Sequence, residues 1–236
     1  KLVTGNVAKN MIQAFFFDTQ FISKGGDRPK DIPKYTAQKV VVLGAGMMGA
    51  GIAYECARAG MEVVLKDMTL AAAEKGKAYS QGILDKAVTR GKMTAEARDV
   101  ILARILPTED MSDAKGADLM IEAVFEDPAL KKSVYSEVVP LLAPDALLGS
   151  NTSSLPVTGL AEGVDRPEDF IGLHFFSPVD KMKLLEIVVG KKTSDEALAK
   201  AIDVAVQIRK LPIVVNDSRG FFTSRVISTI VAEAAA

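Results

Sequence analysis

Apolar residues arrive in two rhythms along this chain. Short unbroken runs rich in Val, Ile and Leu occur at Lys39 to Leu43, Glu62 to Lys66, Asp118 to Val124, Ala146 to Ser150, Phe170 to His174, Lys183 to Val189 and Pro212 to Val215. Such runs predict strands buried on both faces, as in a parallel sheet. Between them the apolar positions recur at helical spacing. Helices are predicted from Met47 to Ala59, from after Asp67 to about Arg90, from Thr94 to Arg104, from Pro128 to Leu142, from Val157 to Ala161, from Thr193 to Arg209, and from Gly220 onward. Thr94 is placed to cap its helix, and Pro128 falls in a first turn, where its missing N–H is harmless. Strands alternating with helices predict an α/β chain, doubly wound around a mostly parallel sheet.

Both ends depart from this rhythm. Over residues 1–22, Leu2, Val7, Met11, Ile12, Phe15, Phe16 and Phe21 suit an amphipathic helix, and three consecutive phenylalanines are a large apolar surface to leave in water. Ser23 to Pro33, with its Gly-Gly pair and two prolines, reads as a linker. At the other end Phe221 to Val231 is apolar and helical, with no partner after it. With Lys1 where an initiating Met is expected, both ends read as cuts in a longer polypeptide.

The first strand runs into GAGMMG, and the second closes on Asp67. Gly44 permits a tight turn, Gly46 lets backbone approach a pyrophosphate, and Gly49 allows helix and strand to pack closely. The helix opening at Met47 and Met48 offers unpaired N–H groups and a partial positive charge to phosphates. Asp67 is placed to accept from both hydroxyls of an adenosine ribose and to repel a 2′-phosphate. Gly44, Gly46, Met47, Met48, Gly49 and Asp67 are therefore the candidate cofactor-binding residues, with NAD preferred over NADP, on a Rossmann-type fold. The alternative is a glycine-tolerant turn with no ligand.

Composition removes several classes of function. A net charge of −1 gives no bulk attraction to nucleic acid. A single cysteine, Cys56, excludes an internal disulfide and a cysteine-built metal site, and no metal is predicted. No apolar run reaches the roughly 18–20 residues of a membrane span. A reducing, soluble compartment is expected.

His174 is the only histidine, and it ends a strand in GLHFFSP, where open α/β sheets place reactive groups. Twelve residues on, Glu186 interrupts the apolar run KLLEIVV, and a carboxylate there is costly unless paired. The intervening Ser177-Pro178-Val179-Asp180-Lys181 can turn the chain, which would bring the two together as an acid–base pair. A core histidine and an edge-strand glutamate remain the alternative. Ser150-Asn151-Thr152-Ser153-Ser154 follows a strand and offers hydroxyls and an amide to a substrate hydroxyl or a carboxamide, or is a polar turn capping the next helix. Glu122 is either a residue of the cofactor crevice or a solvated strand end. Lys86, Arg90 and Lys92 either meet substrate phosphates or form the wet face of a helix.

Taken in order, GAGMMGAGIA, the strand ending in Asp67, IEAVFED with LKK after it, SNTSS, GLHFFSPVDKMKLLEIV and DSRGFFTSR resemble the L-3-hydroxyacyl-CoA dehydrogenase family over about residues 39–236. The leading NVAKNMIQAFFFDTQ resembles the connection from an enoyl-CoA hydratase half in multifunctional fatty-acid oxidation α-subunits. The resemblance implies three parts: 1–36 a linker helix from a missing hydratase-like domain, 37–217 an NAD-binding Rossmann domain, and 218–236 the start of a truncated C-terminal helical domain. It implies a catalytic His174 with Glu186 as its partner, Ser153 on the substrate's 3-hydroxyl, and Glu122 and Lys131 on the nicotinamide side of the cofactor. It further implies oxidation of an L-3-hydroxyacyl-CoA by NAD in β-oxidation, a thiolase β-subunit and self-association in the whole protein, and a cytoplasmic, bacterial-type setting (the mitochondrial matrix in a eukaryote). Two positions depart: Ser177 and Ser224 stand where the family usually has asparagine. Two rival readings stay open, a β-hydroxyacid dehydrogenase acting on a free acid and a homologue that binds NAD and CoA esters without catalysis.

Overall fold

The computed structural model describes residues 4–235; Leu2, read as part of the N-terminal apolar face, lies outside them. Eight strands form one sheet in the order β3-β2-β1-β4-β5-β6-β7-β8. They are β1 Lys39–Leu43, β2 Glu62–Lys66, β3 Ile105–Thr108, β4 Leu119–Glu122, β5 Leu147–Ser150, β6 Phe170–Phe175, β7 Leu184–Val189 and β8 Leu211–Asn216. The first six run parallel, β7 turns back antiparallel to β6, and β8 pairs parallel with β7. The first six strands follow the doubly wound order of dinucleotide-binding sheets, with a reversed pair added at one edge.

Alternation along each strand explains the two cores. Val40 and Val42 of β1 face one cluster with Ile52, Ala53, Cys56, Ile202 and Ala205, whereas Val41 and Leu43 face another with Tyr135, Val138, Leu148 and Phe170. Each branched side chain buried in this way contributes roughly 1.5–3 kcal/mol, so a strand apolar at every position is stable only between two helical layers. The α-helices are α1 Asn6–Ile12, α2 Thr19–Ser23, α3 Met47–Arg58, α4 Leu70–Thr89, α5 Ala95–Ala103, α6 Pro128–Val138, α7 Val157–Leu160, α8 Asp195–Gln207 and α9 Thr223–Ala234. Of these, α3 and α8 serve the first face, and α6 and the short α7 serve the second.

The helix starts follow the capping chemistry of the sequence. Thr94 accepts from Ala97, Asp127 from Leu130 and Ser194 from Ala197, while Pro128 sits at the first helical position. Two predicted helix boundaries move by three residues or more. The helix expected to run to Leu142 ends at Val138 and continues as a 3-10 turn, because Pro140 cannot donate in a helix interior. The last helix begins at Thr223 rather than Gly220, since Gly220 and Phe221 both have positive φ. Strand β3 was not expected at all.

The N-terminal segment is continuously helical over 6–23, as α-helix Asn6–Ile12, a π-helical stretch Gln13–Asp18 and α-helix Thr19–Ser23. Val7, Met11, Ile12, Phe15, Phe16 and Phe21 are all exposed. The linker that follows is pinned to the sheet domain: Arg28 grips Asp203 through Nε and an Nη at 2.8 and 2.9 Å, and Tyr35 N–H donates to the same carboxylate. The final helix, Thr223–Ala234, and Phe222 just before it likewise expose apolar side chains: Phe222, Val226, Ile227, Ile230 and Val231.

Candidate active site

The strand order reverses between β1 and β4, which opens a crevice at their carboxyl ends. A cavity of about 490 Å³ lies there, lined by Gly44, Gly46, Met47, Met48, Asp67, Met68, Val124 and Phe125 among others. Gly44 has φ +93°, and a Cβ on it would stand 2.7 Å from the Ala123 carbonyl oxygen. A Cβ on Gly49 would fall 1.7 Å from the Gly44 oxygen, so helix and turn meet at that distance only through glycine. At Gly46 a Cβ would meet nothing within 4 Å, which leaves that face of the turn open. Gly46 caps α3 with extended backbone and no side-chain cap, and among the described residues no partner is seen for the first N–H groups of the helix, at the crevice that Met47 and Met48 line. Asp67 is braced by Ala45 N–H at 2.6 Å on one oxygen and Met68 N–H at 2.7 Å on the other. An open glycine cradle, the first N–H groups of the helix and a carboxylate fixed at the end of β2 fit a dinucleotide with an unmodified ribose.

Glu122 and Lys131 do not line this crevice; they form its support. Glu122 is fully buried, which removes the reading of it as a solvated strand end. Its Oε1 accepts from Lys131 Nζ at 2.6 Å and Val124 N–H at 2.8 Å, and its Oε2 from Tyr135 Oη and Ser150 Oγ. Burial, then the Glu122 charge, pushes the Tyr135 phenol far up, so it serves as a donor. Every lone pair that the buried carboxylate brings into the core thus meets a donor.

Lys131 also lies 3.2 Å from Glu126, a residue the sequence did not single out. Glu126 Oε1 accepts from Thr152 Oγ1 at 2.6 Å, Ser153 N–H at 2.8 Å and Ser154 N–H at 3.1 Å, and the Ser153 hydroxyl lies 3.3 Å away. The Ser-rich turn is therefore wrapped around a carboxylate. Burial pushes that carboxyl up, but the Thr152 hydroxyl, the Ser153 amide, the Lys131 charge and the Ser154 amide outweigh it and bring it from 4.5 down to about 2. A depressed carboxylate stabilises the fold fully above its unfolded value and loses that contribution as pH falls through its folded one. Protection of the Ser153 and Ser154 amides, corrected for intrinsic exchange, should therefore decline between pH 4.5 and about 2, and Glu126→Gln should abolish that dependence. An unchanged profile in the variant would show that another group holds the turn.

At the same carboxyl edge β6 and β7 pair with His174 opposite Glu186. His174 Nδ1 lies 2.7 Å from Glu186 Oε2. Glu186 is completely buried, and its Oε1 accepts from the N–H groups of Phe222 and Thr223, its Oε2 also from the Thr223 hydroxyl. With both oxygens occupied as acceptors, Nδ1 carries the proton and the lone pair is left on Nε2. The imidazole retains 7% exposure between the rings of Phe176 and Phe221. Asn151 does not point its carbonyl at a ligand but accepts from Phe175 N–H at 2.9 Å, fixing the end of β6. The loop beyond His174 reaches the crevice: the Ser177 hydroxyl is 3.6 Å from the Met47 sulfur. Ser224 is half-buried, and no hydrogen bond of its side chain is seen among the described residues. Lys86, Arg90 and Lys92 are exposed on or just beyond the helix Leu70–Thr89.

The arrangement combines a dinucleotide crevice, a hydroxyl-rich turn and an imidazole with its tautomer fixed. Residues 39–218 match the family model described as "3-hydroxyacyl-CoA dehydrogenase, NAD binding domain". The chain is 43% identical over 189 residues to the fatty acid oxidation complex subunit alpha of Psychrobacter arcticus, covering 80% of this chain and 26% of that protein. To the subunit of the same name in Colwellia psychrerythraea it is 40% identical over 227 residues, covering 96% and 31%. Among solved structures, (S)-3-hydroxybutyryl-CoA dehydrogenase from Ralstonia eutropha superposes with a TM-score of 0.81 at 37% identity, over 84% of this chain and 70% of that one. The chain thus spans between a quarter and a third of the length of these curated relatives.

Proposed function

This chain belongs to the 3-hydroxyacyl-CoA dehydrogenase family, whose NAD-binding domain it carries, and on that premise we propose that it oxidises an L-3-hydroxyacyl-CoA to the 3-ketoacyl-CoA with NAD in fatty-acid β-oxidation. The observation that carries the reading is the His174–Glu186 pair at 2.7 Å, at the same sheet edge as the glycine crevice. NAD seated at Gly44, Gly46, Met47, Met48, Gly49 and Asp67 would supply the hydride acceptor. The Nε2 lone pair of His174 takes the proton of the substrate's 3-hydroxyl. Glu186 stabilises the imidazolium that results, and it holds the ring while doing so. The Ser153 hydroxyl, at the exposed tip of the turn, binds the substrate oxygen. Glu122 and Lys131 act one layer below, fixing the Val124 backbone and, through Glu126, the Ser153 turn.

The wider assignments are proposals that rest on the family resemblance and on the greater length of the relatives. Residues 37–217 form the NAD-binding domain; 1–36 lead in from a hydratase-like domain, giving the whole polypeptide an enoyl-CoA hydratase activity; 218–236 open a helical domain that covers the exposed face of Phe222, Val226 and Ile230. The whole protein assembles with itself and with a thiolase subunit. Among the described residues no helix is long and apolar enough to cross a membrane. A cytoplasmic location is part of the proposal, supported by the bacterial relatives.

The test is NADH formation by the full-length polypeptide. 3-Hydroxybutyryl-CoA should give NADH with NAD and little reduction of NADP, and free 3-hydroxybutyrate should be turned over far more slowly. Turnover of the free acid without the CoA ester would replace this reading with a β-hydroxyacid dehydrogenase. Tight NAD binding with no turnover of either would make the protein a binding homologue.

A further inference from the structure

The loop that joins the two strands of the His174–Glu186 pair is gripped from below by a buried ammonium. Lys210 sits at the junction of α8 and β8, where Arg209 takes φ +59° and Lys210 N–H closes the helix on the Ala205 carbonyl. Its side chain is 4% exposed. Its Nζ donates to the Val179 carbonyl and, at 2.9 Å, to the Met182 carbonyl, at the two ends of the loop's turn. The ammonium also lies 3.6 Å from Oε1 of Glu55, in the last turn of α3, whose other oxygen is held by Arg58 at 2.6 Å. One ammonium therefore touches both the helix that opens the dinucleotide crevice and the loop between the acid–base strands.

Burying this ion pair is an expensive way to fill space. Apolar side chains of the same volume in place of both charges are often as stabilising or more so, because desolvation offsets much of the Coulomb attraction, whereas removing one charge alone strands the other. What an apolar side chain cannot do is bind two carbonyl oxygens at once. The loop has other ties to the crevice side. Val179 is buried in the same core cluster as Ile52 and Ala53 of α3, and Asp180 accepts from the Tyr79 hydroxyl at 2.9 Å. Ser177, near the start of the loop, reaches Met47.

We propose that Lys210 is a positioning residue for the dehydrogenase reaction, its ammonium clamping the Val179–Met182 loop to α3 and so setting the distance between the dinucleotide crevice and the His174–Glu186 pair. The role rests on the function proposed above, and its test separates the two.

In the full-length polypeptide, Lys210→Met should raise amide exchange at Lys181 and Met182 by about tenfold or more relative to the core strands, the behaviour of a loop that has lost its anchors. It should lower kcat by about tenfold, the loss expected when reacting groups are displaced, while the NAD dissociation constant and the KM for 3-hydroxybutyryl-CoA stay close to wild type. If the single variant folds poorly because Glu55 is stranded, Glu55→Gln with Lys210→Met removes both charges together; it should fold, yet keep the fast loop exchange and the low kcat. Rapid exchange with kcat unchanged would reduce Lys210 to a structural role and overturn the proposal, as would slow exchange in the double variant. A wild-type polypeptide without dehydrogenase activity would instead count against the function, while the exchange at Lys181 and Met182 would still decide whether Lys210 holds the loop.

Discussion

His174→Gln should lower kcat for 3-hydroxybutyryl-CoA by roughly 10²–10⁴-fold, the range that a positioned acid–base group contributes, while NAD binds as in the wild type. The prediction follows from which contacts the substitution keeps. Glutamine is close to histidine in volume, and its amide can still donate to Glu186, so the buried carboxylate is not stranded between Phe222 and Thr223. What disappears is a basic nitrogen: an amide has no lone pair that takes a proton near neutral pH. The crevice at Gly44 to Gly49 does not include His174 among its walls, so NAD affinity has no reason to move. Titration of NAD by calorimetry beside steady-state kinetics checks both halves. A parallel loss of affinity and turnover would mean that the imidazole shapes the site and does no proton transfer.

How much of this was legible in the sequence depends on the range of the interaction. Strands β1 and β2 and the glycine turn could be read because their signals are local: a strand apolar at every position must be covered on both faces, and a turn that needs φ +93° needs glycine. The pairing of His174 with Glu186 was approachable for the same reason, since a short turn separates two strands and a charge in an apolar run demands a partner. Strand β3 escaped because Ile105–Thr108 is short, contains Pro107 and lies at the sheet edge, where the missing N–H costs nothing but the pattern is lost.

The polar networks were harder. Glu122 could not be told from a solvated strand end until Lys131, Tyr135 and Ser150 were seen to converge on it from two other elements. Glu126 was invisible although it lies in IEAVFED, because its partners at 152–154 are far along the chain. Thr223 was missed in the same way. A signal for it existed: a buried carboxylate needs donors, and a helix start in GFFTSR offers two N–H groups and a hydroxyl together.

That helix start makes Glu186 the second position where a small change should have a large effect. In Glu186→Gln one oxygen becomes an NH₂ group, and the surroundings dictate which. Phe222 N–H and Thr223 N–H both point at Oε1, so the amide must turn its carbonyl toward them, or set donor against donor. The NH₂ then occupies the Oε2 position, 2.7 Å from His174 Nδ1 in the wild type. Nδ1 has to accept, the ring proton moves to Nε2, and the nitrogen that should take the substrate's proton already carries one. An equivalent acid-to-amide exchange behind the histidine of a serine protease costs about 10⁴ in kcat through the same inversion of tautomer. A fall of roughly 10²–10⁴-fold is therefore expected here with little change in Tm, since most of the hydrogen bonds survive. Glu186→Ala should differ in kind. It leaves the Phe222 and Thr223 donors without their acceptor, at about 1–3 kcal/mol for each that water cannot reach, so Tm should drop along with kcat. The split between the two variants is the informative result. If Glu186→Gln keeps full activity, the carboxylate anchors the last helix and nothing more, and His174 must owe its tautomer to some other neighbour.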